Sequence, residues 1–197
     1  MNTPTNMQEP MQQMRFRPSL AFYHPKPTGA GSALKLELHP AHDQTDGSIW
    51  ATIAPQISKA NFSAPTPIYA RFGWENSIVT KLDFFDLTQM LMVFRGETES
   101  IEDGKGLIHK TARGTTRILL RRVCDMKDGY SLEFYRTTAD HTESSAYIFL
   151  SRSEALGLVA AIESSFGVIC FGIPMVLQRD TSAYRAAQRE IRNAPAA

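Results

Sequence analysis

Short runs in which apolar and polar residues alternate dominate the first half of the chain and predict antiparallel strands. Residues 33–39 alternate three leucines with lysine, glutamate and histidine, and Pro40 follows directly. Period-two alternation indicates a strand with one buried face, and proline ends such a strand. Residues 48–54 and 77–84 show the same alternation. We therefore expect a sheet in the first half of the chain.

Trp50 stands out in the second of these strands. It alternates with Ile49, Ala51 and Ile53, so it falls on the outer face if those three residues enter the core. An outward tryptophan is unusual, because it leaves a large apolar ring in contact with water. Either a partner subunit or loop covers this ring, or another ring stacks on it. The sequence reading favours covering.

Two segments change from the strand period to the helical period of 3.6 residues. The first has an apolar stripe of Leu87, Met90, Leu91 and Phe94. Asp86 is predicted to cap this helix with Gln89 in a capping box, and Gly96 to end it. In the second helix, Ser151 and Glu154 form the predicted capping box. Its predicted stripe is Leu156, Val159, Ala160 and Ile162, followed by an apolar run over residues 166–171.

Between the two helices lies a basic segment with strand alternation. Residues 105–123 contain six lysines and arginines and no aspartate or glutamate. Turns at residues 112–114 and 125–129 separate three predicted strands, and residues 145–150 form a fourth. A sheet that presents cations and aromatic rings suits a nucleic-acid strand, since cations meet phosphates and rings stack on bases. The alternative is a solvated sheet face that happens to be basic.

The order of these elements predicts an α+β fold. Two antiparallel four-stranded sheets are each followed by a helix, in the order ββββα repeated twice. Residues 1–32 are predicted to form a flexible basic N-terminal arm, residues 33–174 a nucleic-acid-binding domain, and residues 175–197 a C-terminal tail.

Composition restricts the possible functions of the protein less than the pattern of apolar and polar residues does. The 197 residues carry a net charge of +1, so any electrostatic case for nucleic acid depends on where the charges lie. The two cysteines, Cys124 and Cys170, are predicted to be buried thiols. No uninterrupted apolar run of about 18 residues occurs, so we expect no membrane partner.

In this arrangement of elements the sequence resembles the Whirly family of single-stranded-DNA-binding proteins, from about residue 32 to residue 172. The resemblance is carried by the Trp74-Glu75 pair before a strand and helix, and by Leu107-Ile108-His109 after the acidic linker. The strand that opens at Gly129-Tyr130 and the final strand with its Ser/Glu-capped helix also match. One motif departs: Whirly proteins carry Lys-Gly-Lys-Ala before the first strand, and here residues 31–35 read Gly-Ser-Ala-Leu-Lys.

The resemblance implies a homotetramer, assembled through the helices, that binds single-stranded DNA without catalysis. The expected setting is DNA replication, recombination or repair, and a bacterial plasmid or mobile element is a fitting source. In a bacterium the protein would be cytoplasmic and nucleoid-associated, and in a eukaryote it would be in an organelle. Trypanosomatid mitochondrial RNA-binding proteins share this fold, so RNA binding or annealing is the alternative. A protein-interaction module without nucleic acid is a further one.

Particular residues follow from combining the resemblance with strand alternation. Phosphate contact is expected of the basic residues and base stacking of the tyrosines. The predicted nucleic-acid contacts are Lys35, Lys81, His109, Lys110, Arg117, Arg121, Tyr130, Tyr135 and Arg136. The predicted oligomer interface, shared with the core, is Leu156, Val159, Ile162, Phe166 and Ile169. A one-residue slip in strand register would exchange the outward set.

Enzymatic chemistry has little support in the sequence. His39, His42 and Asp43 form the best candidate for a metal or catalytic site, but no recognised zinc-ligand spacing accompanies them. The phosphate-binding and nucleophile motifs GxxxxGK[ST], GxGxxG and GxSxG do not occur. We expect no cofactor, no metal and no catalytic residue.

Overall fold

Two antiparallel sheets, each followed by one helix, make up the computed structural model, which describes residues 18–41, 45–124 and 128–172. The first half contains β1 (Ser19–His24), β2 (Ser32–His39), β3 (Ser48–Ser58), β4 (Arg71–Phe72), β5 (Ile78–Leu82) and α1 (Phe84–Phe94). The second half contains β6 (Leu107–Thr111), β7 (Gly114–Val123), β8 (Gly129–Thr138), β9 (Glu143–Ser151) and α2 (Arg152–Phe171). The predicted α+β class and repeated strand–helix order are confirmed. The predicted C-terminal tail and residues 1–17 of the predicted arm lie outside the described residues.

The first sheet starts earlier than the sequence suggested. It has the order β1-β2-β3-β5, and the two-residue strand β4 pairs with the far end of β3. Strand β1 pairs with β2 along its whole length, from Ser19 opposite Glu37 to His24 opposite Ser32. The predicted arm over residues 1–32 is therefore wrong for β1. Its Leu-Ala-Phe-Tyr alternation is masked by proline- and glutamine-rich neighbours, yet Phe22 packs against the core.

The second sheet has the predicted order β6-β7-β8-β9. Its inner face carries the residues that alternation assigned to the core: Ile118, Leu120, Leu132, Phe134, Ile148 and Leu150 are all buried. This confirms the predicted strand register, and it places the residues between them, such as Arg117 and Arg121, on the outer face.

Helix α1 begins one turn earlier than predicted. Asp83, in extended conformation directly after β5, accepts a hydrogen bond from the Asp86 backbone, and Asp86 returns a bond to Asp83. Asp86 therefore completes the capping box as its third helical residue, and Gln89 instead donates to Glu102. The predicted box between Asp86 and Gln89 is wrong because β5 ends at Leu82 and leaves Asp83 free to cap.

The predicted box of Ser151 and Glu154 at α2 is confirmed. The helix ends at Gly172, whose left-handed φ of 61° suits glycine. A β-carbon on Gly172 would also lie 2.4 Å from the carbonyl oxygen of Ala41. Both the backbone conformation and the lack of space therefore require glycine at this position.

The buried stripe of α2 lies about one residue away from the predicted stripe. Its buried members are Ala155, Leu158, Ile162, Ser165 and Ile169. Leu156 is 71% exposed and Phe171 80% exposed. By length and composition alone α2 is apolar enough to cross a membrane, with 20 residues and a mean hydropathy of 1.6. Here one side of the helix packs in the core and an apolar side remains exposed. Cys170 on α2 and Cys124 after β7 are exposed, in contrast to the prediction for both thiols.

One core unites the two halves of the fold, and polar bonds cross between them. The Tyr130 hydroxyl of β8 donates to the backbone oxygen of Phe94 at the end of α1, at 2.8 Å. The Ser32 hydroxyl at the start of β2 donates to the backbone oxygen of Tyr147 in β9, at 2.6 Å. The outer faces of the two sheets are thereby held in a defined relation.

Candidate nucleic-acid interface

The outer face of the second sheet carries cations and rings in adjacent strands. We define the second-sheet face by Lys110, Arg117, Arg121, Glu133, Tyr135 and Tyr147. Arg117 of β7 pairs in register with Tyr135 of β8, and Ile108 of β6 lies on its other side. The Arg117 guanidinium donates from Nε to the Lys105 carbonyl at 2.7 Å, which directs its side chain towards the start of β6.

The carboxylate of Glu133 lies in the middle of this face, in register with Tyr147. It accepts hydrogen bonds from the Tyr135 hydroxyl at 2.6 Å, the Ser131 hydroxyl at 3.0 Å and Arg121 at 3.3 Å. Burial raises the pKa of Glu133, but these donors and the Arg121 charge outweigh burial and lower it overall. The hydrogen bond to Glu133 also raises the pKa of the Tyr135 hydroxyl. Glu133 is thus an anion that holds Tyr135 and Arg121 in place.

The outer face of the first sheet carries a second set of rings and cations. We define the first-sheet face by Lys35, Glu37, His39, Trp50, Trp74 and Lys81. Trp50 is 38% exposed, and it lies opposite Glu37 on one side and Lys81 on the other. The rings of His39 and Trp50 are 5.6 Å apart and tilted by 36°. Within the described part of the chain no loop encloses Trp50, so the predicted covering could come only from another chain or segment.

A concavity opens on the first-sheet face. It has a volume of about 340 Å³, and its lining includes Lys35, Glu37, His39, Trp50, Thr52 and Trp74. The Lys35 ammonium lies 2.6 Å from the Glu37 carboxylate and 5.7 Å from the centre of the Trp74 ring. An acceptor, a donor and two indole rings therefore surround one space.

Further rings extend the first-sheet face towards its edge. Tyr23 of β1 contacts Trp74 edge-on at 6.4 Å between ring centres, and Phe72 at 5.6 Å. Trp74 itself belongs to a short 3₁₀ turn, Trp74–Asn76, that precedes β5. Tyr23 therefore packs against Trp74, which lines the concavity.

The two faces meet at Lys26 and Tyr147. The Lys26 ammonium, in the turn between β1 and β2, contacts the Tyr147 hydroxyl and lies 4.6 Å from the centre of that ring. Tyr147 is 49% exposed and lies opposite Glu133 in the sheet register. Cations and rings therefore continue from one sheet to the other.

Six of the nine predicted contacts lie on these outer faces. They are Lys35 and Lys81 on the first sheet, and Lys110, Arg117, Arg121 and Tyr135 on the second. Tyr130 is wrong as a stacking residue, because it is only 6% exposed and alternates with Tyr135 onto the inner face.

The remaining two predicted contacts, His109 and Arg136, also alternate onto the inner side and are half-buried. His109 hydrogen-bonds Thr80 at 2.9 Å and pairs with Asp86 at 3.1 Å, so it joins the two halves of the fold. The hydrogen bond to Asp86 raises the pKa of His109 against the opposing effect of burial, and the negative charges of Asp86 and Asp83 raise it further.

The predicted interface residues on α2 divide into two groups. Ile162 and Ile169 are buried within the protein, which agrees with their predicted share in the core but leaves them no exposed surface for a subunit contact. Val159 and Phe166 are partly buried against the core, and Leu156 is exposed. The exposed side of α2 is completed by Phe171, from the predicted apolar run over residues 166–171, and by three residues that the predicted stripe left out: Gly157, Ala161 and Ser164.

Four residues on the outer faces were not predicted from the sequence as nucleic-acid contacts. Tyr147 could have been found, because it alternates with the buried Ile148 and the partly buried Ala146 in a recognised strand. Tyr23 and Lys26 were lost with β1. Trp74 was recognised only in the Trp74-Glu75 pair of the family resemblance, and its contact with Lys35 joins residues far apart in the chain. Of the candidate metal site, His39 is on the first-sheet face, and His42 and Asp43 lie outside the described residues.

Comparison with solved structures gives close likenesses in fold at low sequence identity. WHY1 from Arabidopsis thaliana matches with a TM-score of 0.65 and 15% identity, over 86% of this chain and 94% of that one. The plant transcriptional regulator PBF-2 matches with a TM-score of 0.62 and 14% identity, over 84% and 88%. The chain has the Whirly fold.

A third likeness is to MRP1/MRP2 of Trypanosoma brucei, with a TM-score of 0.54 and 13% identity, over 78% of this chain and 86% of that one. No protein-family model matches the sequence, and the search of curated proteins gives no match. The Whirly fold is therefore established by structure, as the arrangement of strands and helices predicted.

Proposed function

We propose that this protein is a non-catalytic, largely sequence-independent single-stranded-DNA-binding protein that acts in DNA replication, recombination or repair. The observation that carries the proposal is the continuity of rings and cations across both outer faces, joined at Lys26 and Tyr147. The Whirly fold supports it, because the resemblance to the Whirly family led us to expect that this protein binds single-stranded DNA. Bases stack on exposed rings whatever their identity, and each stacked base contributes about 1–3 kcal/mol.

The positions of the exposed cations favour a path in which the DNA strand runs along the two outer faces. Arg117, Arg121 and Lys110 are exposed on the second-sheet face, and Lys81 is exposed on the first. Glu133 interrupts this positive surface and repels phosphates, so the backbone would pass beside it and the bases would face the rings. A net charge of only +1 means that binding depends on this local arrangement.

The protein would act as a homo-oligomer, with a tetramer as the expected state. Support comes from the exposed apolar side of α2, which carries Leu156 and Phe171 beside small residues. Small residues allow two helices to approach closely, and burial of the two large apolar side chains would stabilise their contact. Oligomerisation would also bring the faces of several copies onto one strand.

Fluorescence anisotropy of a labelled oligo-dT strand tests the proposal, with measurements at low and high salt and with duplex DNA and RNA as competitors. We expect tight binding that weakens steeply as salt rises, because released counterions drive part of the affinity. Unlabelled single-stranded DNA should compete better than duplex. Stronger competition by RNA would instead favour the RNA-binding alternative, and no binding at low salt would overturn both.

A further inference from the structure

We infer that the concavity on the first-sheet face accepts one guanine base of the bound strand and that Glu37 recognises its hydrogen-bonding edge. The inference rests on the proposed function and adds to it a preference at one nucleotide position. The rest of the strand would still be bound without regard to sequence.

The size and lining of the concavity suit one unstacked base. Its volume of about 340 Å³ is within the range of small-molecule sites. Trp50 and Trp74 both line it, and indole rings are strong stacking partners for purines. His39 packs against Trp50, and Tyr23 packs against Trp74 and is itself in contact with Phe72, so both indoles are supported before a base arrives.

Two charged groups provide a donor and an acceptor side by side in the same concavity. The Lys35 ammonium and the Glu37 carboxylate are 2.6 Å apart, and both line the space. Their side chains are 36% and 21% exposed, so they are reachable while being partly shielded from water. Partial shielding makes the hydrogen bonds of charged groups stronger and more selective.

Guanine matches this pair better than the other bases. On one edge it presents the O6 acceptor and then the N1–H and N2–H donors. Lys35 would donate to O6, and the two carboxylate oxygens of Glu37 would accept from N1–H and N2–H. Thymine and uracil offer one donor between two acceptors, and adenine and cytosine offer one amino donor beside an acceptor. Only guanine gives a carboxylate two adjacent donors.

The test compares oligo-dT strands in which one central thymine is replaced by guanine, inosine, adenine or cytosine. Anisotropy titrations of the wild-type protein should give an affinity about fivefold higher for the guanine strand than for plain oligo-dT. Inosine differs from guanine only by lacking the 2-amino group. It should therefore lose a large part of this gain, and this measurement requires no protein variant.

Glu37→Gln tests the residue directly, because glutamine keeps the size of the side chain but replaces one acceptor by a donor. We expect this variant to bind the guanine strand no more tightly than plain oligo-dT, whatever the change in its overall affinity for single strands. Glu133→Gln is the matched control: it removes a carboxylate from the second-sheet face and should leave the guanine preference unchanged. Circular dichroism verifies that both variants are folded.

Each contrary result has a distinct meaning. Equal affinity of the wild-type protein for all five strands would overturn the inference and leave the proposed function intact. A guanine preference that survives Glu37→Gln, or that Glu133→Gln removes, would overturn the assignment to this concavity. Absence of binding to every strand would overturn the proposed function and the inference together.

Discussion

The imidazole Nε2 of His109 lies 3.1 Å from the Asp86 carboxylate, and this pair joins the second sheet to the first helix. His109 belongs to β6, whereas Asp86 completes the capping box of α1. The other ring nitrogen of His109 hydrogen-bonds Thr80 of β5 at 2.9 Å. A residue predicted to contact DNA is therefore part of the joint between the two halves of the fold.

This joint predicts a pH-dependent stability. The hydrogen bond to Asp86 raises the pKa of His109 above its usual value of 6.5, so the folded protein binds the proton more tightly than the unfolded chain does. The stabilisation is complete below about pH 6.5 and is lost as pH rises through the raised pKa. Urea unfolding of wild type should therefore show a free energy of unfolding that falls over this range.

His109→Gln should remove most of this fall, because glutamine does not titrate. His141→Asn is the control, since His141 is exposed in the turn between β8 and β9 and its φ of 63° is one that asparagine tolerates. An identical pH profile for wild type and His109→Gln would show that the His109–Asp86 pair does not contribute.

Tyr130 and Tyr135 are expected to differ in what they do, although both were predicted to stack on bases. Tyr130→Phe removes the hydroxyl that bonds the Phe94 carbonyl in the core, so we expect a loss of about 1 kcal/mol in the free energy of unfolding. Its affinity for oligo-dT should not change. Tyr135→Ala should weaken oligo-dT binding about tenfold through loss of a stacked ring, with little loss of stability. Chemical unfolding and anisotropy on both variants separate the two roles, and the reverse pattern would contradict the sheet orientation.

Arg121 is expected to act through its charge. Arg121→Ala should lower the affinity for oligo-dT and reduce the slope of log affinity against log salt by about 0.7, the value for one phosphate contact on a single strand. The matched control is Arg95→Ala, because Arg95 pairs with Glu163 between the helices at 2.6 Å, away from both outer faces. Equal slopes for wild type and Arg121→Ala would exclude Arg121 as a phosphate contact.

Local patterns were enough to predict most of the fold and the outward strand faces. Alternation placed Ile118 and Leu120 inside and Arg117 and Arg121 outside, because a strand with one buried face allows no other register. The Ser151–Glu154 box was found for a similar reason: its bonds span only three residues.

What could not be predicted depends on contacts between distant parts of the chain. β1 is short and becomes recognisable only when it pairs with β2. The role of His109 depends on Asp86 and Thr80, which belong to the other half of the fold. The concavity likewise requires β2, β3 and the turn at Trp74 to come together, and no spacing in the sequence encodes that arrangement.

The two sides of α2 provide the last prediction, since Leu156 and Ile162 were assigned to one stripe but lie on different sides of the helix. Leu156 is 71% exposed and Ile162 only 1%. Leu156→Lys should leave the free energy of unfolding of the protomer nearly unchanged but reduce the oligomer to smaller species, because it places a charge in the proposed apolar contact. Light scattering coupled to size-exclusion chromatography measures this change.

Ile162→Ala should behave in the opposite way. It removes buried apolar volume and should cost roughly 2–5 kcal/mol in stability, while any folded fraction keeps the oligomeric state of wild type. Ala139→Lys, in the exposed turn between β8 and β9, controls for an added charge away from α2. If Leu156→Lys and wild type elute with the same mass above that of one chain, the subunits associate through another surface. If wild type itself is a monomer, the exposed side of α2 does not mediate self-association.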